Sequence, residues 1–272
     1  MGAQLMRRLP PKTALVTGAA SGIGRELARE CARRNIHLLL VDLNEKGLND
    51  TAEIIRAEST VEITLFTQDL SAPDAADKCL AFCDEHNLSI DLLINNAGIF
   101  FFAPLLDAPT EKVKCMCDLH IYTVTRMCML FGARMKQRNF GYILNISSMS
   151  AWMAMPGINV YNASKSYIRS LSRSLYFELK PHSVCVTAVC PGGINTTLFG
   201  LPENLRKLAL RLHILMTPQK LAEKSIAATL KGKKQTIPGW LNHLFVFFIL
   251  IIPDWLVFFL MRKLAVYKKF NP

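Results

Sequence analysis

Residues 13–42 read TALVTGAASGIGRELARECARRNIHLLLVD. Ala14, Leu15 and Val16 between two threonines predict a short buried strand. Gly18, Gly22 and Gly24 follow, and Ile23, Leu27, Ala28 and Cys31 then recur at helical spacing to about Arg34. The run 36–41, apolar apart from His37, suits a parallel strand covered on both faces, and it ends at Asp42. Strand, glycine turn, helix and strand make a βαβ unit. In such a unit the glycines let the backbone turn tightly and approach a pyrophosphate at the helix N-terminus. An acid closing the second strand is placed to accept hydrogen bonds from an adenosine ribose. Gly18, Ser21, Gly22, Ile23, Gly24 and Asp42 are therefore candidate dinucleotide-binding residues.

The alternation continues outward from this unit. A polar helix is expected over 45–59, a strand over 61–67 before Asp69-Leu70, and a helix over 73–87. A strand at 90–94 precedes Asn95-Asn96-Ala97-Gly98, and a long helix over 110–138 leads to an apolar strand ending in Ser147-Ser148. A helix carrying Tyr161 and Lys165 runs to about Lys180, where Pro181 stops it. A strand over 184–190 ends in Pro191-Gly192-Gly193-Ile194-Asn195-Thr196. Repeated βα units predict a single α/β domain, a doubly wound parallel sheet of Rossmann type, with ligands at the carboxyl ends of the strands. We assign this domain to residues 1–237 and an apolar, basic-flanked tail to 238–272.

Tyr161 and Lys165 are four apart and so share one helical face. A free phenol has a pKa of about 10, too high for a base near neutral pH. A neighbouring ammonium favours the phenolate and lowers that value. Ser148, at a strand end, could hold a carbonyl or hydroxyl oxygen while Tyr161 moves its proton.

The 272-residue chain is 51% hydrophobic and carries a formal charge of +11. Within 231–272, Lys231, Lys233, Lys234, Arg262, Lys263, Lys268 and Lys269 face Asp254 alone. A basic, apolar tail points to an anionic membrane surface, and no basic-aromatic stripe or zinc-finger spacing supports nucleic acid. The eight cysteines lack metal-ligand spacing, so no metal is expected, and they read as reduced, mostly buried thiols. No signal-peptide core precedes the first strand, and Met6 stands where a myristoylation motif wants Ser or Thr. The expected location is cytoplasmic, with peripheral or monotopic membrane association.

With these residues assembled, the chain resembles the short-chain dehydrogenase/reductase family over about residues 12–237. The resemblance rests on Thr17-Gly18-x-x-x-Gly22-x-Gly24, Asp69, Asn95-Asn96-Ala97-Gly98, Ser148, Tyr161-x-x-x-Lys165, and Pro191-Gly192 followed by Thr196. It implies a nicotinamide cofactor and hydride transfer at a carbonyl or secondary alcohol. It assigns Tyr161 as acid/base and Ser148 as anchor of the substrate oxygen. Lys165 would bind the nicotinamide ribose and lower the Tyr161 pKa. Asp69 would meet the adenine ring, Asn95 would support the cofactor site, and Ile194 and Thr196 would stand on the carboxamide side, while Leu70, Ala97, Gly98, Pro191 and Gly192 join the cofactor-binding candidates. The family usually has asparagine where this chain has His120, in Asp118-Leu-His120-Ile-Tyr. That asparagine helps hold a water linking the lysine to solvent. A neutral imidazole could take over this relay by accepting from the water and donating to a backbone carbonyl, or it could only cap or pack the helix. His120 thus joins the catalytic candidates.

Asp42 favours NAD over NADP, because its carboxylate would repel a 2′-phosphate, and Ser21 and Leu43 stand where NADP-preferring relatives place basic residues. Arg25 is nearby and reads equally well as solvated. The apolar stretch 198–216 occupies the family's substrate-lid position, and Phe100, Phe101 and Phe102 would line the same side or belong to the core. The segment 244–261, LFVFFILIIPDWLVFFLM, reads as a helix–turn–helix dipping into one leaflet, a kinked span, or a surface buried on a partner subunit. The expected function is oxidation or reduction of a lipophilic ketone or secondary alcohol, steroid-like or a long-chain 3-oxo lipid, at a membrane surface. A nucleotide-binding redox sensor or scaffold is the alternative, and a homo-oligomer is left open.

Overall fold

Strands β1 (Thr13–Thr17) and β2 (His37–Asp42) are covered on both sides, so alternate residues feed two separate cores. Ala14, Val16, Leu38 and Leu40 enter one core, and Leu15, Leu39 and Val41 enter the other, following the period of two of a pleated strand. This is seen in a computed structural model that describes residues 10–194 and 215–253, together with 255, 256, 258 and 259. The sheet adds β3 (Ile63–Thr67), β4 (Leu92–Asn95), β5 (Gly141–Ile146), β6 (Val184–Val189) and β7 (Gln235–Thr236). All pairings are parallel, in the order β3-β2-β1-β4-β5-β6-β7.

Helices α1 (Gly22–Arg33), α2 (Glu45–Glu58) and α7 (Pro218–Leu230) cover the first core. Helices α3 (Ala75–Glu85), α5 (Val124–Gln137) and α6 (Asn159–Leu179) cover the second, and α4 (Thr110–Cys117) precedes α5. Strand order reverses between β1 and β4, which opens a crevice at their carboxyl ends, the usual ligand position in such sheets. The expected doubly wound sheet is thus present. Strand β7 and helix α7 were not anticipated. Two residues are too few to show a strand's period, whereas α7 carries a readable start in Thr217, whose hydroxyl accepts from Lys220 N–H at 3.3 Å, and Pro218.

The expected continuous helix over 110–138 is interrupted. Between α4 and α5 the chain makes a π-helical segment, Asp118–Thr123. The wider turn carries an extra residue, a deformation often found at functional sites. It buries His120 completely.

Helix α8 (Trp240–Ile251) begins the apolar tail. Among the described residues no helix is long and apolar enough to cross a membrane. Part of 244–261 lies outside the described residues. The base of the tail packs across the boundary drawn at residue 237. A Cβ on Gly192 would lie 2.4 Å from the Asn242 side-chain oxygen, and α8 packs on the short helical turn Met149–Trp152.

Candidate active site

The glycine turn after β1 is built by close approach. Gly18 has φ +68 and Gly22 φ +55, left-handed values that suit glycine. Gly24 lies so close to the turn that an added Cβ would stand 1.9 Å from the Gly18 carbonyl oxygen. The turn is tied to the end of β2, because Asp42 accepts from Ala20 N–H at 3.1 Å and from Asn44 N–H at 3.0 Å. Ser21 stands exposed just before α1, and Ile23 lines the cleft behind it. Arg25 is half-buried against the turn. Its guanidinium donates to the Ala20 carbonyl at 2.6 Å and to the Thr51 hydroxyl at 2.9 Å, holding the turn on α2.

At the end of β4 the two asparagines part. Asn95 is buried, donating to the Asn145 side-chain oxygen at 2.8 Å beside the Cys128 thiol. Asn96 lines the cleft and donates to the Thr17 carbonyl at 3.0 Å. Asn95, the last residue of β4, braces β4 and β5 from behind, a supporting position, and Asn96, just past the strand, takes the cleft side. Ala97 is half-buried and donates its N–H to Thr17 Oγ1 at 3.1 Å. Gly98 must lack a side chain, since a Cβ there would meet His120 Nε2 at 2.7 Å. Asp69 accepts from the backbone and hydroxyl of Ser71, and Leu70 is buried with its carbonyl held by Thr123 at 2.7 Å. Pro191 is buried and accepts from Met149 N–H at 2.8 Å. Pro191, Gly192 and Ile194 line the cleft, whereas Thr196 and residues 198–214 of the expected lid lie outside the described residues.

Ser148, Tyr161 and Lys165 meet in this cleft, an open space of about 570 Å³. Ser148 stands close enough to Tyr161 to draw its phenol down, and the Ser148 hydroxyl oxygen accepts from Ser150 N–H at 3.0 Å. Lys165 donates to the Ile146 carbonyl at 3.1 Å, and its ammonium lies 5.6 Å from the Tyr161 ring centre. Ser147, which was not anticipated, fixes this helix by donating to the Lys165 carbonyl at 2.7 Å. Burial raises the Tyr161 phenol above its ordinary value, and the Ser148 hydroxyl opposes that rise. The lowering expected from Lys165 is therefore corrected: in the protein alone desolvation dominates. The same burial brings Lys165 down to about 8.

This lysine value has a kinetic consequence. Donation of the Tyr161 proton leaves a phenolate, which a charged Lys165 favours. For carbonyl reduction kcat/KM should fall as pH rises through about 8, where Lys165 loses its charge. A profile flat up to the ordinary lysine value of 10.5 would contradict this.

His120 does not donate to a backbone carbonyl as expected. Its Nε2 accepts from Ile99 N–H at 3.1 Å, and its Nδ1 meets the Ser164 hydroxyl at 2.9 Å. Ser164 donates its proton to the Tyr161 carbonyl at 2.8 Å, so Nδ1 must carry the ring proton. Burial first, and Lys165 second, hold the imidazole well below its ordinary value, so the ring is neutral as expected. With both nitrogens occupied, the proposed water relay through the ring is corrected to a bracket joining the Gly98-Ile99 turn to α6.

Beside Tyr161 lies a shallow apolar recess of about 10 Å³, lined by Phe101, Leu105, Met116, Ile158 and Val160 among others. Phe100 packs edge-on against the Tyr161 ring at 5.1 Å. None of the eight cysteines forms a disulfide. Burial raises Cys31, Cys79, Cys83 and Cys128 to about 12 and Cys190 to about 11, which makes these thiols poor nucleophiles.

The cleft fits a dinucleotide on its own evidence: a tight glycine turn with open space at Gly22, a carboxylate at the end of β2, and a lysine beside a tyrosine. The comparisons agree. The family model described as short chain dehydrogenase matches residues 12–203, and the chain belongs to that family. It is 34% identical over 188 residues to the probable oxidoreductase EphD of Mycobacterium tuberculosis, a match covering 67% of this chain but 31% of that protein's length. It is 29% identical over 248 residues to the very-long-chain 3-oxoacyl-CoA reductase of Macaca fascicularis, covering 89% and 76% of the two chains. A short-chain dehydrogenase from Sphingobium yanoikuyae solved with NADPH superposes with a TM-score of 0.76 at 27% identity, over 93% of this chain and 96% of the other. The protein is an NAD(P)-dependent oxidoreductase.

Proposed function

We propose that this protein moves a hydride between NAD and a lipophilic ketone or secondary alcohol, with a long-chain 3-oxo lipid or steroid-like molecule as substrate, at a membrane surface. The observation that carries the reading is the shallow apolar surface beside Tyr161, next to the Ser148 and Tyr161 hydroxyls that line the cleft. A bound nicotinamide supplies the hydride. Gly18, Gly22, Gly24, Asn96, Gly98, Lys165 and Gly192 would hold it, with Asp42 on the adenosine ribose. In the reducing direction Ser148 fixes the carbonyl oxygen, Tyr161 donates the proton, and Lys165 favours the phenolate left behind. The resemblance to very-long-chain 3-oxoacyl-CoA reductases supports a long acyl chain.

The preference for NAD rests on Asp42, whose carboxylate stands where a 2′-phosphate would approach, and on Arg25, whose guanidinium is committed to Ala20 and Thr51. Asp42→Ser should lower the ratio of kcat/KM with NAD to that with NADP at least tenfold, an effect of about 1.4 kcal/mol. A wild-type enzyme that already prefers NADP would contradict the assignment. The membrane reading rests on α8, which exposes Trp240, Leu244, Phe245, Phe247, Phe248 and Ile251. The functional reading is tested by following NADH absorbance with the purified chain and a panel of lipophilic ketones. Turnover of one or more is expected. NADH binding without turnover of any of them would favour the sensor instead.

A further inference from the structure

Helix α8 has two unlike sides. Its inner stripe is narrow: Asn242 and Val246, one turn apart, are its buried side chains among the described residues. Asn242 donates to the Pro238 carbonyl at 2.5 Å and sits where Gly192 would otherwise carry a Cβ. Gly239, at φ +98, sets the angle at which the helix leaves the body. The same helix packs on the turn Met149–Trp152, which begins immediately after Ser148. Helix α8 therefore borders the cleft twice, on the cofactor side at Gly192 and on the substrate side beside Ser148.

The outer side is apolar almost throughout. Trp240 is 70% exposed, and Leu244, Phe245, Phe247, Phe248 and Ile251 share that surface. Aromatic and aliphatic side chains in such a row favour transfer from water. The seven basic residues of 231–272, against Asp254 alone, select an anionic lipid surface over a neutral one. A helix is about 10 Å across, so a bilayer touching the outer side of α8 lies about that far from Gly192. A lipid could then present its carbonyl to Ser148 and Tyr161 while much of its chain stays in hydrocarbon.

We propose that α8 seats the mouth of the reaction cleft against an anionic bilayer, so that the ketone or alcohol enters from the lipid and not from water. The proposal rests on the membrane reading above and adds the orientation of the cleft to it.

The chain's three tryptophans report on this directly. Trp240 and Trp255 lie in the tail and are exposed. Trp152 lies in the turn at the cleft mouth, with the Arg169 guanidinium 4.2 Å from its ring centre. Full-length protein is mixed with phosphatidylcholine/phosphatidylserine vesicles whose acyl chains carry bromine near the headgroup, a contact-range quencher of indole emission. The wild type is compared with Trp240→Phe/Trp255→Phe, which keeps Trp152 alone, and with Trp152→Phe, which keeps the tail pair. Loss of Trp152 emission alongside that of the tail pair is the expected result. Quenching of the tail pair with Trp152 unaffected would overturn the orientation and leave membrane attachment standing. No quenching in any form, with the protein folded, would remove both. Should the double variant fail to fold, the difference between wild type and Trp152→Phe gives the same answer.

Discussion

Replacing Tyr161 by phenylalanine is expected to lower turnover by roughly 100- to 10,000-fold, the usual contribution of a positioned general acid or base. The substitution removes the hydroxyl beside Ser148 on α6 and keeps the ring that packs against Phe100. Cofactor affinity should stay close to that of the wild type, because the ring and Lys165 remain in place. The stability cost is about 1 kcal/mol, that of one hydrogen bond. Single-turnover measurement with bound NADH separates the loss of chemistry from any loss of binding. A Phe variant that turns over at a comparable rate would remove Tyr161 from the proton-transferring role.

His120→Leu should have the second-largest effect. The imidazole joins three elements: the π-helical segment that carries it, the Ile99 N–H after β4, and Ser164 on α6. Leucine leaves a buried N–H and a buried hydroxyl without their partner, at about 1–3 kcal/mol each. Because Ser164 is bonded in turn to the Tyr161 carbonyl, part of that loss should appear in kcat, by about tenfold or more. Asparagine can accept from Ile99 but is too short to span to Ser164, so His120→Asn should recover part of the rate. Glutamine, longer by one methylene, should recover more. A purely structural role would lower stability across the series and leave kcat alike in all three.

The pH dependence of stability separates the variants again. The folded ring binds its proton more weakly than an unfolded histidine of ordinary value 6.5. Its stabilising contribution is therefore complete above about 6.5 and is lost as pH falls toward the depressed folded value. Wild type should lose stability over this acid range more steeply than His120→Asn, as read by chemical denaturation at each pH. Equal slopes would show that the ring is not held neutral against its tendency to protonate.

Much of the fold was legible because its signals are local. The alternation of Ala14, Leu15 and Val16 between two cores, the glycine turn and the closing Asp42 all lie within a single βαβ unit. Ser148, Tyr161 and Lys165 were legible because the spacing from strand end to helix is short. Features set by distant packing were not. Asn95 and Asn96 are adjacent and chemically identical, and only packing beyond the end of β4 turns Asn95 to Asn145 and Asn96 to the cleft. The π-helical segment leaves no sequence period of its own. His120 was noticed as a departure, but its partners depend on where the Ile99 N–H and Ser164 meet in space. Gly192 looked like part of a cofactor turn, and its second reason for being glycine, the side chain of Asn242, lies fifty residues along the chain. Burial also outweighed the simplest electrostatic expectation at Tyr161, since enclosure in the cleft raises the phenol whatever its neighbours contribute.

The central claim is hydride transfer to a carbonyl whose apolar chain lies against the recess beside Tyr161. The most direct test is the chain-length dependence of kcat/KM for NADH-driven reduction of a homologous series of 3-oxo lipids by the full-length protein, with Tyr161→Phe as control. Each methylene moved from water into the recess is worth about 0.8 kcal/mol, or roughly fourfold, until the recess is full. The account predicts a rise of that order over the first methylenes and no activity in the control. Efficiency that is independent of chain length, or highest for a small hydrophilic ketone, would contradict it.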